Sequence, residues 1–274
     1  HNAIASGINA TAIGTSAEAS GKYSSSFGTE ANATAEDAIA VGFLASASGD
    51  DSIAIGTSAV ANKANATAIG TEAKASGENS TASGDSATAS GTNSSAFGFK
   101  ATASGGDSTS IGKGSSATHQ GATAIGHVAH ATAGRTTAIG TGSRASAQCA
   151  LAVGWKANAT AINAIAIGYT ANAEGVNSTA VGTSAQASAN YSSSYGTLAN
   201  ASGLASMAFG AGANASKTGA IAHGVNSTAS GANSSTFGTE ANATAEDAIA
   251  VGHRATASGD DAIAIGKSAL ANKV

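Results

Sequence analysis

The sequence predicts an all-β chain built as a parallel β-solenoid of 14-residue coils. Two observations support this: a Gly recurs every 14 residues from Gly14 to Gly266 without insertion or deletion, and apolar and polar residues alternate on either side of it. A third is compositional, because 36 Gly with only 4% aromatic and 10% charged residues cannot fill a conventional globular core. Positions below are counted from this recurring Gly, so that Gly−2 is the second residue before it.

The three residues that precede each recurring Gly are predicted to form the first strand of a coil. Position Gly−1 holds a large apolar residue, such as Ile69, in every unit except those with Ser83 and His223. Alanines alternate after the Gly, at Gly+3 and Gly+5, and predict a second short strand. Gly, Asn and Asp mark the two bends, where positive φ costs little.

The interior of each coil is predicted to contain the large residue at Gly−1, facing the small residues at Gly+3 and Gly+5. His223 would then be a buried histidine. Position Gly−2 would point outward, yet it carries Ala, Ser or Thr in every unit and never a charge. This suggests that another chain covers it and gives a set of predicted subunit-interface residues: Ala12, Ala40, Ala54, Ala68, Ala124, Ala138, Ala152, Ala166, Ala180, Ala250 and Ala264.

A longer duplication lies over the short repeat. Residues 21–63 and 231–273 are identical at 34 of 43 positions, with an offset of fifteen units. The chain is therefore predicted to be a single repetitive domain, 1–274, of about 19 coils. It begins without Met and stops inside the pattern, so we expect it to be a fragment of a longer protein.

Units such as "NATAIGTEAKASG" (65–77) and "NSTAVGTSAQASA" (177–189) resemble the head repeat of trimeric autotransporter adhesins, the YadA-type heads. The resemblance covers essentially the whole chain. It implies a left-handed β-roll, a homotrimer, and display at the bacterial cell surface through an outer-membrane anchor in regions absent from this sequence. It also implies attachment to host matrix proteins of the collagen, fibronectin or laminin class, or to host cells, and a role in virulence.

Other functions find little support in the sequence. A net charge of −4 gives no overall basic surface for nucleic acid, and no apolar run is long enough for a membrane helix. Acidic pairs such as Glu36–Asp37 fall at bends, and His127 and His130 lack ligand spacing. The sequence therefore predicts no catalytic residue, metal or cofactor, and a chain that is not an enzyme.

The corner just after the recurring Gly varies most. It is usually Thr, but four units place an aromatic residue there, and exposed aromatics are typical of interaction sites. The predicted ligand contacts are Phe43, Phe99, Trp155 and Tyr169. Two alternatives remain open: a non-adhesive spacer, and an ice-binding solenoid suggested by threonines at Gly−3 such as Thr67 and Thr81.

Overall fold

The computed structural model describes residues 2–272, which divide between Arg135 and Thr136 into two compact units. The described residues form 39 short strands joined by turns, and none of them lies in a helix. His1, Lys273 and Val274 fall outside the described residues, and with them the last position of the duplicated segment 231–273.

In the first unit, strands of three residues end just before the recurring Gly and strands of two residues follow it. The longer strands are β2 (Thr11–Ile13), β4 (Ser25–Phe27), β6 (Ile39–Val41), β8 (Ile53–Ile55), β10 (Thr67–Ile69), β12 (Thr81–Ser83), β14 (Ser95–Phe97), β16 (Thr109–Ile111) and β18 (Thr123–Ile125). The shorter strands are β1 (Ile4–Ala5), β3 (Glu18–Ala19), β5 (Asn32–Ala33), β7 (Ser46–Ala47), β9 (Val60–Ala61), β11 (Lys74–Ala75), β13 (Thr88–Ala89), β15 (Thr102–Ala103), β17 (Ser116–Ala117) and β19 (His130–Ala131).

The second unit repeats this order. Its longer strands are β20 (Thr137–Ile139), β22 (Leu151–Val153), β24 (Ile165–Ile167), β26 (Thr179–Val181), β28 (Ser193–Tyr195), β30 (Met207–Phe209), β32 (Ile221–His223), β34 (Ser235–Phe237), β36 (Ile249–Val251) and β38 (Ile263–Ile265). Its shorter strands are β21 (Arg144–Ala145), β23 (Asn158–Ala159), β25 (Asn172–Ala173), β27 (Gln186–Ala187), β29 (Asn200–Ala201), β31 (Asn214–Ala215), β33 (Thr228–Ala229), β35 (Asn242–Ala243), β37 (Thr256–Ala257) and β39 (Leu270–Ala271).

Within each unit, every strand pairs in parallel with the strand fourteen residues further on. Thr67, Ala68 and Ile69, for example, lie opposite Thr81, Ala82 and Ser83. The bends pair as well, since the amide of Gly70 donates to the carbonyl of Ile55 at 2.8 Å. The predicted parallel β-solenoid with two strands per 14-residue coil is therefore confirmed, with about 19 coils in the chain.

The backbone conformation repeats every seven residues, which is half the period of the sequence. Residues with φ near +55° recur every seven residues, at Gly+2 and Gly+9 of each coil, as at Asp37, Leu44 and Asp51. Each coil is thus two seven-residue halves, each closed by a turn with one left-handed residue. The acidic pairs lie at these turns, as predicted.

The recurring Gly is required for two separate reasons. All 19 have φ between 123° and 145°, a region that residues with a Cβ rarely adopt. In addition, a Cβ added at Gly84 would lie 2.6 Å from the carbonyl oxygen of Gly98 in the next coil. Together these constraints explain why no other residue type occurs at this position.

The core of each coil consists of small side chains only. Positions Gly−4, Gly−2, Gly+3 and Gly+5 are buried, as Ala66, Ala68, Ala73 and Ala75 show. Some coils replace Ala with Ser, and the hydroxyl of Ser80 then donates to the carbonyl of Gly77 at 2.6 Å. The two strands of a coil face each other closely enough for single methyl groups to fill the space between them.

The predicted assignment of faces is wrong for the first strand. The alanines predicted to form a subunit interface lie inside their own coil: Ala40, Ala54, Ala68, Ala124, Ala138, Ala152, Ala166, Ala180, Ala250 and Ala264 are buried by the chain itself, and Ala12 is half-buried. The large residue at Gly−1 points outward, because Ile or Phe cannot fit between two strands separated by Ala side chains. His223 is exposed for the same reason.

Candidate functional site

The turn after the recurring Gly projects two side chains into solvent, at Gly+1 and Gly+2, because the residue at Gly+2 is left-handed. We call these positions the corner. Phe43, Phe99, Trp155 and Tyr169, the predicted ligand contacts, all lie at Gly+1 and are exposed. The structure brings only two of them into contact with each other.

Trp155 and Tyr169 stack across adjacent coils of the second unit. Their ring centroids are 4.5 Å apart and their planes differ by 10°, while 38% of Trp155 and 52% of Tyr169 remain exposed. The ammonium group of Lys156 lies 4.3 Å from the centroid of the Trp155 ring. This corner therefore presents two ring edges and one cation on a rigid backbone.

Phe99 forms a similar group in the first unit. The Nζ atoms of Lys100 and Lys113 lie 5.0 and 5.7 Å from the centroid of its ring. Such distances are typical of cation–π pairs. Sequence reasoning missed these lysines because it considered only aromatic residues at Gly+1. The same position of the next coil holds Lys113, and the neighbouring Gly+2 position holds Lys100 and Lys156.

Phe43 lies beside Leu44 on a corner that differs between the two copies of the duplication. The equivalent residues of the second copy are His253 and Arg254. The Nε atom of Arg254 donates to Oε2 of Glu240 at 2.6 Å, whereas the first copy forms its ion pair elsewhere, from Lys22 to Glu36 at 2.9 Å. The scaffold is retained while the corner changes from apolar to basic.

A second surface consists of the outward positions Gly−1 and Gly−3 of the first strands, which we call the apolar face. At Gly−1, Ile55, Ile69, Phe97, Ile111, Ile139, Ile167 and Phe237 are all exposed. Sequence reasoning missed this face, although four uniformly small columns, Gly−4, Gly−2, Gly+3 and Gly+5, already mark the interior. A row of exposed large apolar residues is unusual for a soluble monomer.

Aromatic rings concentrate on the apolar face of the second unit. Tyr195 stacks on Phe209 with centroids 4.8 Å apart, and His223 lies 5.9 Å from Phe209 and 5.8 Å from Phe237. A cleft of about 370 Å³ opens here between His223, Val225, Phe237 and Thr239.

The threonines at Gly−3 belong to this outward face too. The predicted interior, with Gly−1 inside the coil, would place them inward with that column. Thr67 and Thr81 instead share the outward side of the strand with Ile69 and Ser83 and are partly exposed.

Within residues 2–272 no group of three or more His, Cys, Asp or Glu side chains is arranged to hold a metal ion. The same part of the chain contains no helix long and apolar enough to cross a membrane. Cys149 is a free, exposed thiol.

The YadA head domain repeat matches residues 1–17, 5–31, 19–45, 47–73, 75–101, 89–115, 103–129, 117–143, 145–171, 173–199, 201–224 and 243–269. The chain belongs to the YadA head family. It is thus a head of the trimeric autotransporter adhesin type, a structural adhesin family and not an enzyme family. A search of curated proteins found no match to the sequence of this chain.

Proposed function

We propose that this YadA-type head is the adhesive part of a surface protein that attaches a bacterium to host extracellular matrix or host cells. The observation that carries the proposal is the pairing of a stiff, hydrogen-bonded scaffold with corners that differ from coil to coil. A scaffold fixed by its small core leaves the corners free to vary without loss of the fold.

We further propose that the head, residues 1–274, is a homotrimer at the bacterial surface, held to the outer membrane by other parts of its protein. YadA-type adhesins form homotrimers. In this chain the apolar face at Gly−1 and Gly−3, rather than the alanines at Gly−2, is the surface that sister copies would cover. Each exposed Ile buried there would contribute on the order of 1 kcal/mol or more.

The corner aromatics are the proposed ligand contacts. Trp155 with Tyr169, and Phe99 with its two lysines, combine a large apolar surface with a fixed backbone, which lowers the entropic cost of binding. Phe43 with Leu44 is a third, purely apolar corner. Proteins of the collagen, fibronectin or laminin class, or host cell surfaces, are the proposed partners.

A solid-phase screen tests this function. The assembled head is applied to immobilised collagen, fibronectin and laminin and to epithelial cells, and the screen is repeated with Trp155→Ala and Phe99→Ala. Matched controls are Thr183→Ala and Thr71→Ala, which alter exposed residues at the same corner position. We expect binding that falls with the aromatic variants only. A trimeric head that binds none of these surfaces would contradict adhesion and favour the spacer alternative.

The ice-binding alternative gains one supporting observation, because the threonines of the Gly−3 column face outward. The column is interrupted by Ile39, Ile53, Ile165 and Ile249, and it lies beside the bulky Gly−1 column. An ice-binding surface needs flat, regular ranks of Thr, so we expect no thermal hysteresis from the head. Measured hysteresis would contradict the adhesin proposal.

A further inference from the structure

Charge is distributed unevenly along the chain. Residues 108–173 contain no Asp or Glu, although the chain carries 16 acidic residues in all. The same segment holds four Lys or Arg side chains and three of the six histidines. A chain with net charge −4 therefore has a local stretch that carries cations and no carboxylate.

One corner of the first unit brings Lys113 of this segment together with Lys100, which precedes the segment. Lys100 and Lys113 lie over the same Phe99 ring, and His127 occupies Gly+1 of the coil after Lys113. All four side chains are exposed. Asp85 occupies Gly+1 of the preceding coil, but the ion pairs among residues 2–272 are Lys22–Glu36 and Arg254–Glu240, so neither lysine of this corner forms one.

The backbone keeps this corner fixed. The amide of Lys100 donates to the carbonyl of Asp85 at 2.9 Å, and that of Gly114 donates to the carbonyl of Phe99 at 2.8 Å. Gly114, at Gly+2 between Lys100 and Val128, carries no side chain. Two lysine side chains held over one ring can bind two anionic groups of a single ligand, and these side chains lose little further conformational entropy on binding.

We propose that the corner formed by Phe99, Lys100 and Lys113, with His127, binds a sulfated polysaccharide. This deepens the proposed adhesive function and rests on it, because the sulfated chains of host matrix and cell surfaces are linear, densely anionic polymers. Charge complementarity favours a polyanion, and corners that recur from coil to coil suit a linear chain better than a folded acidic protein. Surface ammonium groups attract polyanions most strongly at low salt.

Binding to immobilised heparin by surface plasmon resonance tests the inference, with desulfated heparin and a single-stranded DNA of equal length as comparison surfaces. Lys100→Gln combined with Lys113→Gln removes the proposed contacts. The control combines Lys63→Gln with Lys74→Gln, which removes the same charge from exposed lysines of the same unit. Thermal unfolding of both variants shows whether the fold is retained.

We expect the head to bind heparin, the corner variant to bind roughly tenfold more weakly at low salt, and the control to bind almost unchanged. Desulfated heparin should not bind. Equal loss in both variants, or DNA binding as tight as heparin binding, would overturn the inference. Matrix-protein binding without heparin binding would overturn it while leaving the proposed function intact, whereas no binding to any of these surfaces would contradict both.

Discussion

Ala68 and Ile69 are consecutive residues of one strand, yet Ala68 is fully buried while 42% of Ile69 is exposed. Alternation along a strand produces this difference, and the size of the two side chains decides which of them faces the core. The YadA-type head therefore keeps small side chains inside each coil and exposes its large apolar residues at Gly−1.

Two substitutions are expected to distinguish residues that stabilise the fold from residues that hold the subunits together. Ala68→Leu forces extra methylene groups into a filled core and should cost at least 1–3 kcal/mol of stability, roughly the cost of overpacking. Ile69→Asp should leave the β-sheet circular dichroism signal intact while lowering the molar mass in solution. If Ile69→Asp abolished the β signal and Ala68→Leu did not, the assignment of Ala68 to the core and Ile69 to the outer face would be contradicted.

Glycine substitutions test the steric argument for the repeat. Gly84→Ala should destabilise the head by more than about 2 kcal/mol, because a Cβ there meets both positive φ and the backbone of the next coil. Gly134→Ala is the control, since an added Cβ at Gly134 has no heavy atom within 4 Å. Chemical denaturation of both variants measures the difference, and equal stability of the two would refute the argument.

Buried serines should differ according to their hydrogen bonds. Among the described residues the hydroxyl of Ser52 has no hydrogen-bond partner, while that of Ser80 donates to Gly77. Ser52→Ala, which introduces the residue found at the duplicated position Ala262, should stabilise the head by roughly 1 kcal/mol. Ser80→Ala should destabilise it by a similar amount. Thermal midpoints that move in the same direction would contradict this reading.

The exposed ion pair of the second duplicate makes a pH prediction. The hydrogen bond from Arg254 lowers the pKa of the Glu240 carboxyl, and the charge of the guanidinium adds to the shift. A lowered folded-state pKa contributes stability above the unfolded pKa, and this contribution is lost as pH falls through the folded pKa. The effect on overall stability is small because both side chains are exposed.

Arg254→Leu introduces the residue of the first duplicate, Leu44, and should raise the pKa of Glu240 toward its ordinary value. An NMR titration of the Glu240 carboxyl carbon measures the change. Arg144→Leu removes a charge elsewhere and should leave this pKa where it is. An unchanged Glu240 titration in Arg254→Leu would show that the pair does not form in solution.

Much of the fold follows from the sequence because a strict period fixes the pairing partner of every residue. The 14-residue spacing alone predicts that Thr67 lies beside Thr81, and it predicts the position of the two turns in each coil. Alternation along a strand separates its residues into two faces, but it does not show which face points inward. Large residues inside with small ones outside, and the reverse, give the same alternating pattern. Only the width of the coil decides this, and that width is set by four columns of small residues, among them the Ala at Gly−2.

The corners were predicted to be exposed, and they are. The period places Lys113 of the next coil beside Phe99, but it does not show that the Lys113 ammonium group lies over the Phe99 ring. Contacts between coils depend on the side-chain conformations of long residues, which the period does not determine.

The central claim is that sister copies cover the apolar face. Multi-angle light scattering of the native head tests it most directly, with the Ile55→Asp, Ile69→Asp double variant as comparison. The account predicts a native molar mass three times that of the 25.6 kDa chain and a lower mass for the variant. A native head that remains a single chain, or a variant that keeps the full mass of the assembly, would contradict it.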